Sequence, residues 1–339
     1  MTAARNKLRA HRGNITLGAT LALFSLMFLF KSTIIHAYFG PPIAAPTNIV
    51  VNAAAIPLNE EDPSQRAVGK LDYIAGWHLT SPSGHFGGIS ALIVENDARR
   101  LVAINDKGDW LTAKMDIEAA APIADAVMAP FDPAFTGDAK KILDAESLIR
   151  TDGGYLVAFE QQHRLMVSSP SGSSTDSPIN RHMNFAGLAD NGGMEAISWT
   201  QDGKLLAFAE RGLDIHGRLK GWLADADGAE MVYLKPPQNF APTDAALMAN
   251  GDVLLLMRRF SPAEGVAVKL LRIKAADIRP GAVLEGDELA HFAPPLSVDN
   301  MEGLDVVEKP GAPPLVFMIS DDNFNGLQRT ILMVFTLKE

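Results

Sequence analysis

Cysteine is absent from all 339 residues. That excludes disulfides, thiolate zinc sites, Cys-x-x-Cys redox chemistry and every mechanism with a cysteine nucleophile, cysteine phosphatases included. Other signatures are missing too. Around Ser90 the chain reads Gly88-Ile-Ser90-Ala-Leu92, so there is no Gly-x-Ser-x-Gly elbow. No His-Glu-x-x-His, Walker A or Gly-x-Gly-x-x-Gly run occurs. The eight histidines lack metal-ligand spacing, and His216-Gly-Arg218 lacks the arginine-rich surroundings of histidine phosphatases. Asp225-Ala-Asp227-Gly228 lacks EF-hand spacing and reads as a hairpin turn. Helical periodicity is scarce: Ala119–Met128 and Ala275–Ile278 are at most short helices. With 28 glycines and 21 prolines the chain is neither collagenous nor of low complexity. Its length allows one large domain with an ample core.

Positive charge is scarce in the body. Residues 1–37 carry +5 and no acid, within a total of −10, so the remainder carries −15. An acidic body repels phosphate backbones, which excludes nucleic acid as a partner, and favours divalent cations. At the N-terminus, four basic residues precede an apolar run from Ile15 to Phe30 that Lys31 ends. A helix of that length spans about 24 Å, short of a hydrocarbon core of about 30 Å. Residues 1–37 therefore read as an export signal, with cleavage after Ala37 or Ala45. The competing reading is an uncleaved anchor extended through Ile34, Ile35 and Tyr38. Either way the body is expected in the periplasm, secreted, or membrane-anchored facing the extracytoplasmic side. Any membrane contact is expected only through this segment if uncleaved. Residues 38–68 hold five prolines and read as a linker to a domain over 69–339.

Five segments of the body superimpose, starting at Ser90, Glu146, Glu195, Asp244 and Glu302, at intervals of 56, 49, 49 and 58 residues. Most read as apolar strand, Asp-Gly or Asn-Gly turn, apolar strand; the first has Asn96-Asp97 at the turn and the last Pro310-Gly311. A period near 50 with about four strands per unit predicts an all-β fold, a β-propeller with five visible blades and room for a degenerate sixth. Leu71–Leu79 is an extra strand ahead of the first unit, and the last unit lacks a fourth strand. The N-terminal strand is expected to close the ring. The four tryptophans are expected between blades.

In such a ring the first strand of each blade lines the central channel. The repeats set acids at the start of that strand (Glu146, Glu195, Asp244, Glu302) and polar residues at the end of the second (Asp106, Glu160, Glu210, Arg258, Asp321). Both sets lie at one end of their hairpins, so they should converge on one mouth. Like charges so gathered need compensation. Calcium, a hard cation taking six to eight oxygens, would supply it, or Arg258 and Arg259 in part. The plainer reading is that the acids cap strands and hold no ligand. His85 precedes the first repeat and is placed to reach the mouth, although a surface or capping histidine is the simpler reading.

Several pieces together resemble the phytase-like family, the group labelled as having esterase-like activity of phytase. They are Phe86-Gly-Gly-Ile-Ser90, Leu143-Asp-Ala-Glu146-Ser, Asn191-Gly-Gly-Met-Glu195-Ala-Ile, Asp299-Asn-Met-Glu302-Gly-Leu and Ser320-Asp-Asp-Asn323-Phe324. The closing Gln328–Leu337 run fits as well, and the likeness covers about residues 70–338. It implies a secreted or periplasmic propeller that hydrolyses a phosphate or carboxylate ester, by similarity to calcium-dependent propeller phytases. This sequence departs from those phytases in lacking a basic cluster for a highly phosphorylated inositol; only Arg258 and Arg259 sit near the expected mouth. The leading expectation is a metal-assisted ester hydrolase acting on a small anionic ester, a phosphomonoester first. Glu146, Glu195, Glu302 and Asp321 would hold calcium, with Asp106, Glu160, Glu210 and Asp322 as further ligands. One of Glu146, Glu195 and Glu302 would act as base or acid. Arg258, Asn300, Asn323 and His85 would contact substrate. A non-catalytic ligand-binding envelope propeller and a lactonase-like hydrolase are the alternatives.

Overall fold

Glycine turns fold the body into hairpins. Gly153, Gly203, Gly251 and Gly311 sit at four of the five repeat turns with φ of +91°, +80°, +87° and +77°, a region glycine enters without a Cβ clash. A computed structural model describes residues 43–132, 142–170 and 172–338. The expected export segment or anchor, residues 1–37, lies outside them. Among the described residues no helix is long and apolar enough to cross a membrane.

The N-terminal strands are β1 (Thr47–Ile49), β2 (Asn52–Ala55), β3 (Ala67–Val68) and β4 (Leu71–Thr80). Blade one is β5 (Ile89–Glu95), β6 (Arg100–Asn105), β7 (Trp110–Met115) and β8 (Ile123–Ala129). Blade two is β9 (Ala145–Thr151), β10 (Gly154–Phe159), β11 (Arg164–Ser168) and β12 (Thr175–Asp176). Blade three is β13 (Met194–Trp199), β14 (Leu205–Ala209), β15 (Leu219–Ala224) and β16 (Ala229–Leu234). Blade four is β17 (Ala241–Leu247), β18 (Val253–Ser261), β19 (Gly265–Ile273) and, after β20 (Val283–Leu284), β21 (Asp287–Phe292). Blade five is β22 (Met301–Val307), β23 (Leu315–Ser320) and β24 (Thr330–Leu337).

Five sheets result, and the ring has five blades. The innermost strands β5, β9, β13, β17 and β22 neighbour one another in a closed cycle. As expected, β4 supplies the missing fourth strand by pairing antiparallel with β24. The stretch expected as a linker does more than lead into the fold. β1 adds a fifth strand to blade one beside β8, and β2 does the same for blade five beside β4. Residues 47–55 thus bridge the two blades that flank the closure. Prolines at 46 and 57 sit just outside these short edge strands, where a missing N–H costs no ladder bond. Residues 123–128, expected within a short helix, lie instead in β8; residues 275–277 do form a 3₁₀ turn. Asp225 does turn a hairpin, accepting from the backbone N–H groups of Asp227 and Gly228 at 2.8 and 3.0 Å.

The core lies between blades. Five apolar clusters occupy the five interfaces, for example Leu206, Phe208, Val253 and Leu255 between blades three and four. Each inner strand is thereby covered on both faces, which explains why β14 reads Leu-Leu-Ala-Phe-Ala with no alternation. Trp110 and Trp222 are fully buried in two of these interfaces.

One feature of the inner strands recurs in every blade. The pairing of first with second strand skips one residue: Ser90, Glu146, Glu195, Thr243 and Glu302. Each is an extra residue of a β-bulge, which re-aims a side chain without moving the rest of the strand. This corrects the expected register of blade four. The residue equivalent to Glu195 is Thr243, not Asp244. Asp244 lies one step on and is fully buried inside the ring. Its carboxylate accepts from the Ser147 hydroxyl (2.8 Å), the Ala245 N–H (2.9 Å) and the Leu304 N–H (2.7 Å). It therefore ties blades two, four and five across the centre. Replacing Asp244 with alanine leaves three buried donors unsatisfied, and unfolding in urea should show a loss of about 3–5 kcal/mol. A loss below about 1 kcal/mol would mean that the tie carries no stability.

Candidate functional site

The five bulges and five equivalent second-strand positions form two sets at one end of the channel, the position in blade four being followed by three more residues of β18. The second set is Asp106, Glu160, Glu210, Arg258 and Asp321. Four of these are held alike: the backbone N–H donates to a carbonyl of the loop before the first strand, at Gly88 (2.8 Å), Asp144 (2.8 Å), Gly193 (3.0 Å) and Asn300 (2.9 Å). A cavity of about 250 Å³ opens between the two sets. Its lining includes Asp106, Asp144, Glu146, Glu160, Glu195, Glu210, Glu302 and Asp321, against two cations, Arg211 and Arg258. Gln161, Asn191 and Asn323 add neutral donors and acceptors.

The acids are not evenly spread. Asp144, Glu146 and Glu160 bring one oxygen each within 4.8 Å of one another, and Glu160, Glu195 and Glu210 do the same. The two trios share Glu160 and belong to blades two and three with the loops before them. The donor set is oxygen only, which suits a hard divalent cation and not a thiolate- or imidazole-preferring one. Glu160 is itself positioned: its Oε1 accepts from the Gly193 N–H at 3.2 Å. A Cβ at Gly193 would come within 2.7 Å of His163 Nδ1 and 3.3 Å of Glu160 Cγ, so a larger residue here would displace the His163 ring and press on Glu160. Asp144 Oδ2 accepts from the Gln161 amide at 2.6 Å.

On the other side of the cavity Arg258 Nη2 lies 3.1 Å from Glu302 Oε1. Burial works against the Arg258 charge. Even so Glu302, Glu195, Glu210 and Asp321 together raise its pKa above the ordinary arginine value. Its Nε is buried without a hydrogen-bond partner. Arg211 is pinned at the rim by Glu210, with Nε to Oε2 at 2.5 Å.

Burial and mutual repulsion push the carboxylic acids up. Glu146 rises well above the usual carboxylate range, from burial first and then from Glu195, Asp144, Glu160 and Glu302. Glu195 rises likewise, from burial and then Glu210, Glu302 and Glu160. Burial raises Glu160 to about 7 against the pull of the Gly193 N–H, and raises Glu302 to about 7 against Arg258. Asp321 also rises, from burial and then Asp106 and Glu302. Burial and crowding thus favour the protonated form of these groups, and a bound cation would favour the deprotonated form.

The structure brings most of the expected residues together. Glu146, Glu195 and Glu302 all line the cavity, as do Asp106, Glu160, Glu210, Asp321, Arg258 and Asn323. Of the eight expected metal ligands, Glu146, Glu160, Glu195 and Glu210 fall in the trios; Asp106, Glu302 and Asp321 line the cavity outside them. Three expected residues are not in the lining. Asp322 turns away and accepts from the N–H groups of Gly88 (2.9 Å) and Phe324 (3.0 Å), tying blade five to the entry of blade one. That follows from strand alternation, since Asp321 already faces inward. Asn300 sits behind Glu302 and hydrogen-bonds its carboxylate. His85 lies beside Lys107, and burial and then that ammonium lower its pKa. Arg259 pairs with Glu264 at 2.9 Å and is outside the mouth. Asp144, Gln161, Asn191 and Arg211 were not foreseen. Asp144 stands two residues before Glu146, a spacing that puts both on one side of the entering strand, and that was the available signal.

No curated protein matches the sequence. Solved structures similar to the chain include the β-propeller domain of Myceliophteria thermophila Cps50 (Swd1), with 11% identity and a TM-score of 0.37 over 86% of this chain and 99% of that one. Another is one chain of a solved S. cerevisiae complex of Dbp5 with Nup159, Gle1, IP6 and ADP, with 10% identity and a TM-score of 0.33 over 80% of this chain and 96% of that one. Residues 84–324, spanning the first bulge to the loop after β23, match the phytase-like family model described as "Esterase-like activity of phytase", and the chain belongs to that family.

Proposed function

We propose that this chain is a divalent-cation-dependent ester hydrolase of an extracytoplasmic compartment, acting on phosphomonoesters at the acidic mouth. The observation that carries the reading is the pairing of opposites in one small cavity. Two carboxylate trios share Glu160 on one side, and a half-buried arginine faces the cavity on the other. Family membership supplies the esterase-like class. The basic, apolar N-terminal segment supports the compartment.

Asp144, Glu146, Glu160, Glu195 and Glu210 would hold the cation, calcium being the natural choice for an all-oxygen set. When bound, it would neutralise phosphate oxygens and lower the pKa of a water. The chain's own residues would do the rest. Arg258 would grip an anionic oxygen through charge-assisted hydrogen bonds, its guanidinium held in place by Glu302. Glu302, raised to about 7, would exchange a proton with the reacting group near neutral pH. Asn323 would orient the ester from the rim. It is held there by its backbone N–H donating to Asp321 Oδ1 at 2.6 Å, in a left-handed conformation (φ +49°) rare outside glycine.

A panel of phosphate and carboxylate esters, assayed with calcium and with a chelator, tests this. Glu302→Gln is expected to lower kcat by about 100-fold or more, and Arg258→Gln chiefly to raise KM. No calcium-dependent turnover of any ester by the folded protein would overturn the reading and leave a ligand-binding propeller.

A further inference from the structure

Large apolar side chains exposed to solvent are few among the described residues, and four of them lie at the mouth end of their blades. Leu213 and Ile215, 60% and 96% exposed, lie in the β14–β15 loop. Phe260, 65% exposed, is the last residue but one of β18, and Leu327, 96% exposed, lies in the β23–β24 loop. The two loops follow Glu210 and Asp321, and Phe260 follows Arg258 along β18, so all three segments are at the end of the ring where the cavity opens. They belong to consecutive blades three, four and five. The corresponding loops of blades one and two expose no large hydrophobic residue.

The two loops are built to hold their apolar side chains outward. Between Leu213 and Ile215, Asp214 accepts from the N–H groups of His216 (2.8 Å) and Arg218 (3.0 Å) and from the Arg218 guanidinium (2.9 and 2.7 Å). Arg218 in turn stacks 4.2 Å above the Tyr233 ring. In the β23–β24 loop, Asn325 accepts from the Leu327 N–H (2.9 Å) and donates to Gln328 (2.6 Å). In each loop the polar groups satisfy one another, and the apolar group is left facing water. Phe260 shares a strand face with Arg258 two residues earlier, so its ring lies along the way out from the guanidinium. The cavity beneath, about 250 Å³, is lined by charged and amide groups, which suit an anionic head group and offer no apolar surface to an alkyl chain.

We propose that Leu213, Ile215, Phe260 and Leu327 form an apolar rim that grips the alkyl part of the substrate, so that the substrate class is an amphiphilic anionic ester. This rests on the reading of the mouth as an anionic-ester site. The head would enter beside Arg258 and the chain would leave across blades three to five. Each fully buried methylene tightens binding by about fourfold, so even partial cover of an eight-carbon chain gives about tenfold or more.

The test is calorimetry of the full chain in millimolar calcium, with methylphosphonate and octylphosphonate below its aggregation concentration. Octylphosphonate is expected to bind at least about tenfold tighter. The Ile215→Ser/Leu327→Ser variant, and separately Phe260→Ser, should shrink that ratio while leaving methylphosphonate affinity unchanged. Equal affinity for the two phosphonates, or a ratio that survives both variants, would overturn the rim. Binding of neither would overturn the anionic-ester reading beneath it, and the rim's role with it. A second arm offers a phosphate monoester head as phosphatidate in phosphatidylcholine vesicles. Rim-dependent binding there as well as in solution supports a bilayer source for the ligand; rim dependence in solution alone supports a free amphiphile.

Discussion

Glu160→Gln is expected to weaken calcium binding by about 100-fold, more than a change to any other single acid of the mouth, because Glu160 alone belongs to both trios. The substitution keeps the side chain's size and leaves an oxygen able to accept from Gly193, so the fold should survive. In the metal-free protein the same change should have the opposite sign. Glu160 is raised to about 7 by burial, and Asp144 and Glu210 repel it. Removing its charge at pH 8 relieves that repulsion, so the metal-free variant should melt above the metal-free parent. Calcium titration by calorimetry, with melting curves in chelator, reads both effects. Glu230→Gln, in an exposed outer-strand pair with Lys204, is the control and should change neither. Unchanged calcium affinity in Glu160→Gln would remove the trios as the cation site.

The second large effect is on stability against pH. Glu146, Glu160, Glu195, Glu302 and Asp321 all have pKa values raised in the folded state. Between their unfolded values and their folded values the native chain therefore binds more protons than the unfolded chain. Unfolding free energy must fall as pH rises through that window. For Glu302, moved from 4.5 to about 7, the loss is about 3 kcal/mol. The metal-free protein should accordingly melt several degrees lower at pH 8 than at pH 5. Calcium, which binds the deprotonated carboxylates, should remove most of that difference by stabilising the native state at pH 8. Melting curves at both pH values, in chelator and in calcium, check the signs. Stability that is level or rising from pH 5 to pH 8 in chelator would contradict the burial and crowding described for these acids.

Much of this was legible in the sequence, for physical reasons that can be named. Asp-Gly turns and unbroken apolar strands follow from blades covered on both faces, so the repeat, the five blades and the closure by Leu71–Leu79 could be read directly. The edge strands Thr47–Ile49 and Asn52–Ala55 could not. Short, proline-flanked and mostly exposed, they carry no alternation, and only the partner strands β8 and β4 specify them. The register of blade four was hidden by its bulge. An extra residue is invisible to alignment when an acid stands next to it, as Asp244 does beside Thr243. Asp322 misled for a related reason: two adjacent acids at a strand end face opposite ways. The division of the mouth into an all-acid side and an arginine side depends on which blades adjoin across the ring, and no spacing within one repeat carries that.

The most direct measurement is a crystal of the full chain soaked in calcium. Density for an ion is expected among Glu160 and its trio partners, about 2.3–2.6 Å from their oxygens. A mouth without an ion at millimolar calcium, its carboxylates bonded only to one another and to Arg258, would contradict a cation site there.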